Sequence, residues 1–385
     1  MKKSLFAIAA VTAFAGAAHA QSSVTVYGLI DMGITSTGTD STLRASGVEN
    51  SIRATQTGNN GRMSGSRLGF RGVEDLGGGR SAGFTLEMGP DFTEQANGIN
   101  TGTRLGFLSL NDKAVGGLNI GRQVSSTKAV NDGFTAFGNA NFDTGAVAGA
   151  GLSTSTVSQT TGAYAAVSNA ATQGGLGNAN GGERLSNLIR YTTPALIPGL
   201  TASAGYFKTT ADTQTAAIVI GDTNGAGYDL GLRYTQGPFD AMIAYNKYET
   251  TNGSANMFAN TNTVMSLGTS YDLKMVKGFV AYNNRAYEVT TTANSKITFT
   301  DVTVGVSVPL GTTNILFAYS DGKDDSTVQK TDKSGFQLGA VHNLSKRTNV
   351  YAVYGNAKAD SASLGISGNS KVSATGTAIG MRHSF

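Results

Sequence analysis

The chain has 385 residues, of which 14% are charged and 39% hydrophobic, and its formal net charge is +4. It contains no cysteine, which excludes disulfides, thiolate metal sites and cysteine nucleophiles. Two of the positive charges, Lys2 and Lys3, lie at the extreme N-terminus, and no basic cluster with interleaved aromatic residues follows. The charge therefore does not indicate nucleic-acid binding.

Residues 1–20 have the pattern of a secretory signal peptide. An apolar run follows the two N-terminal lysines, and residues 18–20 read Ala-His-Ala, a small-x-small cleavage site. The run is too short to cross a bilayer as a helix, and no later stretch approaches 18 consecutive apolar residues. We expect export, cleavage after Ala20 and a mature chain at 21–385.

The rest of the chain consists of short segments in which apolar and polar residues alternate. In the clearest segment, Leu230 and Leu232 share a face with Tyr228 and Tyr234, and Asp229 falls on the other face. Tyrosines at both ends of an apolar stripe roughly 20 Å long fit the two interfacial girdles of a membrane barrel. Sixteen such segments can be placed, at 23–35, 62–74, 80–90, 102–112, 116–124, 184–194, 200–210, 226–236, 238–249, 262–273, 276–289, 297–310, 313–322, 334–344, 347–358 and 372–385.

The connections between these segments alternate strictly between short and long. The short ones lie at 74–79, 111–117, 194–199, 236–240, 272–277, 309–313 and 344–348. The long ones lie near 36–61, 91–101, 125–183, 211–225, 250–261, 290–296, 323–333 and 359–371. Tight turns on one side and longer loops on the other organise an outer-membrane barrel. The sequence therefore predicts an all-β fold, a transmembrane antiparallel β-barrel of 16 strands.

The last strand ends the chain on Phe385, which shares an apolar face with Thr377, Ile379 and Met381. A strand with one apolar face must pair on both edges or it invites aggregation, so closure against the first strand is favoured. An ordinary edge strand with a chance Phe is the alternative. The ending resembles that of Gram-negative outer-membrane barrels, which implies that Phe385 is an assembly signal recognised by the barrel-assembly machinery.

The connection at 125–183 is much longer than the others and is rich in Ala, Gly, Ser, Thr and Asn. A loop of this length inside a compact domain needs a reason. Disorder is one interpretation. The one we favour is a loop that folds into the barrel and narrows it, because a barrel of sixteen or more strands is too wide to fill with its own side chains.

Several stretches resemble the general porins of Gram-negative bacteria, especially the beta-proteobacterial group. They read VTVYGLID at 24–31, SRLGFRGVEDLGGG at 66–79, LNIGRQ at 118–123, NLIRYTTP at 187–194 and IGMRHSF at the end. The resemblance covers essentially the whole mature chain. It implies a homotrimer of sixteen-stranded barrels in outer-membrane lipid and lipopolysaccharide, each barrel with its own pore for passive diffusion of small hydrophilic solutes and ions.

The resemblance also implies where such a pore is narrowest. The third external loop would constrict it opposite a ladder of wall arginines, which map onto Arg67, Arg122 and Arg184, and the loop at 91–101 would latch onto a neighbouring subunit. The region 125–183 lacks the Pro-Glu-Phe-Gly type of motif found in many relatives. Asp132 and Asp143 are therefore only guesses for its acidic lining.

Alternation along the strands gives a separate argument about these arginines. Arg67, Arg71 and Arg184 fall opposite the apolar stripe of their strands, and a lipid-facing Arg at mid-bilayer would cost roughly 2–4 kcal/mol. The lumen is their favourable location, although any one of them could be a solvated rim charge. Arg122 breaks the pattern: either a bulge at Gly121 re-aims it, or it lies outside the membrane band.

On the strands that can be oriented, lumenal arginines outnumber lumenal carboxylates, which predicts a weak preference for anions. A substrate-specific channel and a surface adhesin or structural barrel are the alternative functions. His342 and His383 fall on apolar stripes near short turns and offer no catalytic arrangement. No metal-ligand spacing or phosphate-binding loop appears, so we expect neither an enzyme nor a cofactor or metal.

Overall fold

The computed structural model describes residues 23–43, 48–58, 63–90, 102–138, 184–215, 218–252, 258–290, 295–326, 329–363 and 370–385. The expected signal peptide at 1–20, the loop at 91–101 and most of the long connection, including Asp143, lie outside these ranges.

The described chain is almost entirely strand, as the alternating pattern predicts. The strands are β1 Ser23–Leu43, β2 Val48–Gly58, β3 Arg67–Gly77, β4 Arg80–Gly89, β5 Gly102–Asp112, β6 Gly116–Val124, β7 Arg184–Thr192, β8 Leu200–Thr215, β9 Ile218–Gln236, β10 Phe239–Asn252, β11 Phe258–Asp272, β12 Lys277–Thr290, β13 Ser295–Leu310, β14 Thr313–Ser326, β15 Gln329–Asn343, β16 Thr348–Ser363 and β17 Ser370–Ser384. One helix, α1, spans Ser126–Gly133. In the part of the chain described, no helix has the length and apolarity needed to cross a membrane.

The strands form one closed antiparallel sheet, and β17 pairs with β1 to complete it. Two segments share one position in the barrel: β2 pairs with the outer half of β1, and β3 with its first half. Seventeen strand segments therefore occupy sixteen barrel positions, which confirms the predicted strand number. At the seam, the backbone of Phe385 exchanges two hydrogen bonds with Gly28, at 3.2 and 3.1 Å.

Several of the predicted long connections are shorter than expected. The strands that flank them continue as paired backbone beyond the apolar band. Residues 36–43 and 48–58 form a paired hairpin extension inside the region predicted as the loop 36–61. The predicted loop 211–225 is also largely strand, since β8 runs to Thr215 and β9 begins at Ile218. The extension of β1 and β2 has no continuous apolar stripe, and a period-2 hydrophobic search does not find strands without one.

The two faces of the sheet differ as the alternation predicts. On the outer face, Val24, Leu108 and Ile379 are 66%, 67% and 69% exposed, a pattern that suits contact with lipid. On the inner face, the polar side chains of Asp31, Asp229 and other residues are fully buried. Such burial on the wall of a wide barrel requires that something inside covers the wall.

Candidate pore lining

The first part of the long connection covers the inner wall. The chain leaves β6 at Val124, and α1 then lies against β9, β10 and β11. Ser125 caps the helix by accepting a 3.1 Å hydrogen bond from the backbone N–H of Lys128, the usual role of a serine at this position. Residues 125–138, called here the inward segment, thus lie inside the barrel; residues 139–183 are outside the described residues.

A buried carboxylate holds the beginning of the inward segment. Asp229 on β9 accepts hydrogen bonds from the backbone N–H of Ser126 at 2.9 Å and from its hydroxyl at 2.7 Å. Arg190 on β7 donates to the same carboxylate at 2.6 Å. Asp229 is 0% exposed, so its charge is satisfied within the wall and does not face the water of the lumen.

The end of the inward segment meets a second stretch that folds into the barrel. Between β2 and β3, Met63 is buried in an apolar cluster with Phe137 and Tyr351. The neighbouring Ser64 donates its backbone N–H to Asp31 Oδ2 at 2.6 Å, and Tyr351 donates its hydroxyl to the other carboxylate oxygen at 2.7 Å. Residues 63–66 and the inward segment therefore pack against each other inside the barrel.

A group of charged side chains lies on the inner wall at β3, β4, β5 and β17. Arg104 pairs with Glu87 at 2.7 Å between Nε and Oε1, and Arg382 donates to the hydroxyl of Ser64 at 3.0 Å. Arg67 lies within electrostatic range of Arg104, Arg382 and Glu87. Among the described residues, no hydrogen-bond partner is found for its buried Nε. Arg67, Arg104, Arg382 and Glu87 form the cluster that we call the arginine cluster.

A β-bulge brings Arg104 to the arginine cluster. In the pairing of β4 with β5, Glu87 lies opposite Leu105 and Met88 opposite Thr103, so Arg104 is the extra residue. Simple alternation places Arg104 on the outer face with Leu108, so the inward position of Arg104 cannot be predicted from alternation alone. A bulge re-aims one side chain, and the glycines two residues away on either side, Gly102 and Gly106, are the sign of it in the sequence.

The register does not bring Arg122 to the lumen. Arg122 lies opposite Gly106 of β5, which in turn lies opposite Leu86 of β4, and Leu86 points to the outer face. The register shift near Arg122 is in the pairing of β6 with β7, and the pairing of β6 with β5 is regular. Its guanidinium donates to the carbonyl oxygen of Thr103 at 2.8 Å and to the hydroxyl of Ser186 at 2.6 Å. Arg122 thus ties together the outer ends of β5, β6 and β7, and the bulge that was considered at Gly121 does not turn it inward.

The parity argument for Arg184 is wrong for a related reason. Three residues of β6, 121–123, lie opposite four of β7, 185–188, so β7 has one extra residue there, and Asn187 takes a left-handed φ of 55° in this bulge. Leu185 consequently points to the inner wall, where it is fully buried, and Arg184 is paired with Val124 on the opposite face.

Two other predicted positions, Arg71 on the wall and Asp132 in the long connection, lie inside the barrel. Arg71 is exposed there, with its guanidinium carbon 5.4 Å from the centre of the Tyr27 ring, and Tyr27 in turn donates to Glu87 at 3.3 Å. Asp132 lies on α1 and forms an ion pair with Lys128, one turn earlier, in which Lys128 Nζ donates to Asp132 Oδ1 at 3.0 Å. Asp132 is also in electrostatic range of Arg67, so the helix presents a carboxylate towards the arginine cluster.

Most other carboxylates of the inner wall are neutralised where they stand. Asp301 on β13 pairs with Arg285 at 3.1 Å and accepts from the amide of Asn283 at 2.8 Å. Asp324 on β14 pairs with Lys333. In contrast, within the described ranges neither Arg67 nor Arg71 has a carboxylate ion-pair partner. The field of the described inner wall is therefore dominated by positive charge at the arginine cluster and Arg71.

The described residues contain no group of three or more His, Cys, Asp or Glu side chains placed to hold a metal ion. His342 and His383 lie near short turns and are hydrogen-bonded to Thr313 and Thr348 on adjacent strands, at 2.8 and 2.9 Å.

Comparisons with known proteins agree with this architecture. A family model described as Gram-negative porin matches residues 7–362. An outer membrane porin protein of Bordetella pertussis is 29% identical, and outer membrane porin protein 32 of Delftia acidovorans is 31% identical; both alignments cover all of each chain. The solved structure of an anion-selective porin from Comamonas acidovorans is 26% identical, covers 95% of this chain and 100% of its own, and superposes with a TM-score of 0.67. The chain therefore belongs to the Gram-negative porin family and is a porin of the outer membrane.

Proposed function

We propose that this porin passes small hydrophilic solutes and ions by passive diffusion and that it has a weak preference for anions. The observation that carries the preference is the imbalance on the inner wall. Arg67 and Arg71 lack carboxylate partners within the described residues, while Asp31, Asp229 and Asp301 are buried and hydrogen-bonded. Rings of basic side chains favour anions. The similar Comamonas protein, named as anion-selective, supports the same direction.

The test is the reversal potential of the reconstituted protein in a gradient of potassium chloride. We expect a potential of the sign that chloride permeation produces and smaller than the ideal chloride value. A potential of the cation-selective sign contradicts the anion preference. A channel that saturates with one class of solute would indicate a substrate-specific channel, and the absence of conductance would indicate an adhesin or a structural barrel.

We also propose that the long connection 125–183 constricts the pore opposite Arg67 and Arg71. The inward course of residues 125–138 and the placement of Asp132 towards the arginine cluster support this proposal. Arg122 and Arg184 are not part of it, because their register puts them on the other face. Asp143 remains a candidate for the acidic lining.

The remaining proposals concern export and assembly. We propose that residues 1–20 are cleaved, that Phe385 is read by the barrel-assembly machinery, and that the porin is a homotrimer embedded in lipid and lipopolysaccharide. Gel electrophoresis with and without heating tests the trimer: an unheated sample should migrate as a trimer and a heated one as a monomer. The same band position in both samples contradicts it. The mass of the purified protein tests cleavage before Gln21.

A further inference from the structure

The inner wall from β9 to β14 carries a repeated pattern of small residues. Glycine lies directly opposite alanine in three successive hairpins: Gly231 opposite Ala244, Gly268 opposite Ala281, and Gly305 opposite Ala318. The three alanines are at most 1% exposed. Each pair is displaced by two residues from the preceding one, because Ala244 faces Ser266 and Ala281 faces Thr303. Together with Gly339 on β15, these residues form a shallow trough in the wall, called here the glycine trough.

The inward segment fills the glycine trough. A Cβ placed on Gly268 would come within 2.4 Å of the Phe134 ring and within 2.7 Å of Phe134 Cβ. A Cβ on Gly305 would lie 3.0 Å from Ala136 Cβ, and one on Gly339 would lie 2.7 Å from the Phe137 ring. The contacts at Gly268 and Gly339 are closer than real Cβ atoms approach other heavy atoms, and the contact at Gly305 is tighter than most, so these glycines let Phe134, Ala136 and Phe137 lie directly on the wall.

Both ends of the inward segment also have contacts outside the glycine trough. Asp229 accepts two hydrogen bonds from Ser126 at the start, and Phe137 is buried with Met63 and Tyr351 at the end. A segment fixed at both ends can respond to a larger wall residue only by moving away from the wall, which is towards the axis of the barrel.

We propose that the glycine trough is the seat of the inward segment and that its depth sets how far this segment projects into the pore. Gly268, Gly305 and Gly339 are therefore positioning residues: they do not touch a solute, and they act on permeation through the segment. The inference rests on the proposed channel function and adds the residues that determine the aperture of the channel.

A disulfide between the wall and the inward segment tests the seat directly. The chain has no cysteine, so the double variant Ala136→Cys/Gly305→Cys has only the two introduced thiols. Their Cβ atoms start about 3.0 Å apart, slightly closer than the roughly 3.5–4.5 Å found across disulfides. Treatment of the folded protein in detergent with diamide would join the two sulfurs, and the diamide would take up the two protons and two electrons released.

We expect complete cross-linking, measured as loss of alkylation by a maleimide, and the same single-channel conductance before and after reduction. The control variant is Ala136→Cys/Gly322→Cys: Gly322 lies on the inner wall of β14, but its nearest neighbours are Thr300 and Asp301. The control should keep both thiols free. A test variant that conducts and stays uncrosslinked, or whose conductance changes on cross-linking, overturns the proposed seat. No conductance from the unmodified porin contradicts the proposed function instead.

Two single substitutions test the effect on aperture and do not depend on the double variant folding. Gly268→Ala places a methyl group against Phe134 and should lower the single-channel conductance. Gly278→Ala on β12 has no neighbouring atom within 4 Å of the added carbon, so its conductance should equal that of the unmodified protein. An unchanged conductance in Gly268→Ala overturns the link between trough depth and aperture.

Discussion

Single charges in the arginine cluster should control ion selectivity in opposite directions. Arg104 and Glu87 form a partly buried ion pair, with 17% and 7% of the side chains exposed. Arg104→Gln removes one positive charge and leaves the carboxylate of Glu87 unpaired, so we expect the reversal potential to move towards cation permeation. Glu87→Gln removes the negative charge, so we expect a shift of the potential towards anions.

The control for both substitutions is Arg80→Gln at the turn between β3 and β4. Arg80 is highly exposed, and fields in water are screened within about 8–10 Å at physiological salt. Its removal should change the reversal potential less than either substitution in the arginine cluster. Equal shifts in Arg80→Gln and Arg104→Gln would mean that only net charge matters and that the arginine cluster has no special place in permeation.

For single residues, alternation in the sequence predicts correctly which face of the sheet a side chain occupies wherever the strand is regular, as for Arg67 and Arg71. The same prediction is wrong at the two bulges. One turns Arg104 inward although its position in the alternation is that of Leu108, and the other turns Leu185 inward in place of Arg184. A bulge exchanges the faces of every residue beyond it, and its location depends on the partner strand, which a single sequence does not specify.

For the inward segment as an element, the anchor at its N-terminus should decide how steady the pore is. The fully buried Asp229 accepts hydrogen bonds from Ser126 and forms an ion pair with Arg190. Breaking a buried ion pair by removing one charge costs about 3–5 kcal/mol. In Asp229→Asn we expect a noisier open-channel current and a lower temperature of barrel unfolding. The current noise is the decisive readout, because loss of stability alone would not produce it.

The matched control is Asp240→Asn on β10. Asp240 pairs with Arg233, and their side chains are 19% and 50% exposed, so removing this carboxylate should cost less than removing the fully buried Asp229. The current of Asp240→Asn should be as steady as that of the unmodified porin. If Asp229→Asn gives an equally steady current, the inward segment does not depend on this carboxylate for its position.

The elements themselves were predictable where one face is apolar, and less so elsewhere. All sixteen positions, the short turns and the closing strand follow from alternation and from the proline positions. The polar extension of β1 and β2 does not, because its stability comes from paired backbone and cross-strand contacts such as Arg53 with Asp40, at 2.8 Å, and not from an apolar stripe. The glycine trough was also not predicted, since a glycine opposite an alanine is visible only when the register is known.

For the molecule as a whole, the arrangement of lipid outside and water inside can be tested on two adjacent residues of one strand. Ile120, near the middle of β6, is 51% exposed on the outer face, and Asn119 next to it points to the inner wall. An Arg on the lipid face at mid-bilayer costs about 2–4 kcal/mol, whereas an Arg in a water-filled lumen costs little. Ile120→Arg should therefore lower the urea concentration at which the barrel unfolds in lipid vesicles, and Asn119→Arg should leave it nearly unchanged.

The same two variants should also differ in ion selectivity. Asn119→Arg should shift the reversal potential towards anions, because the new charge faces the permeating ions, and Ile120→Arg should not. The same loss of stability in both variants, or a selectivity shift in Ile120→Arg alone, would contradict the assignment of the two faces.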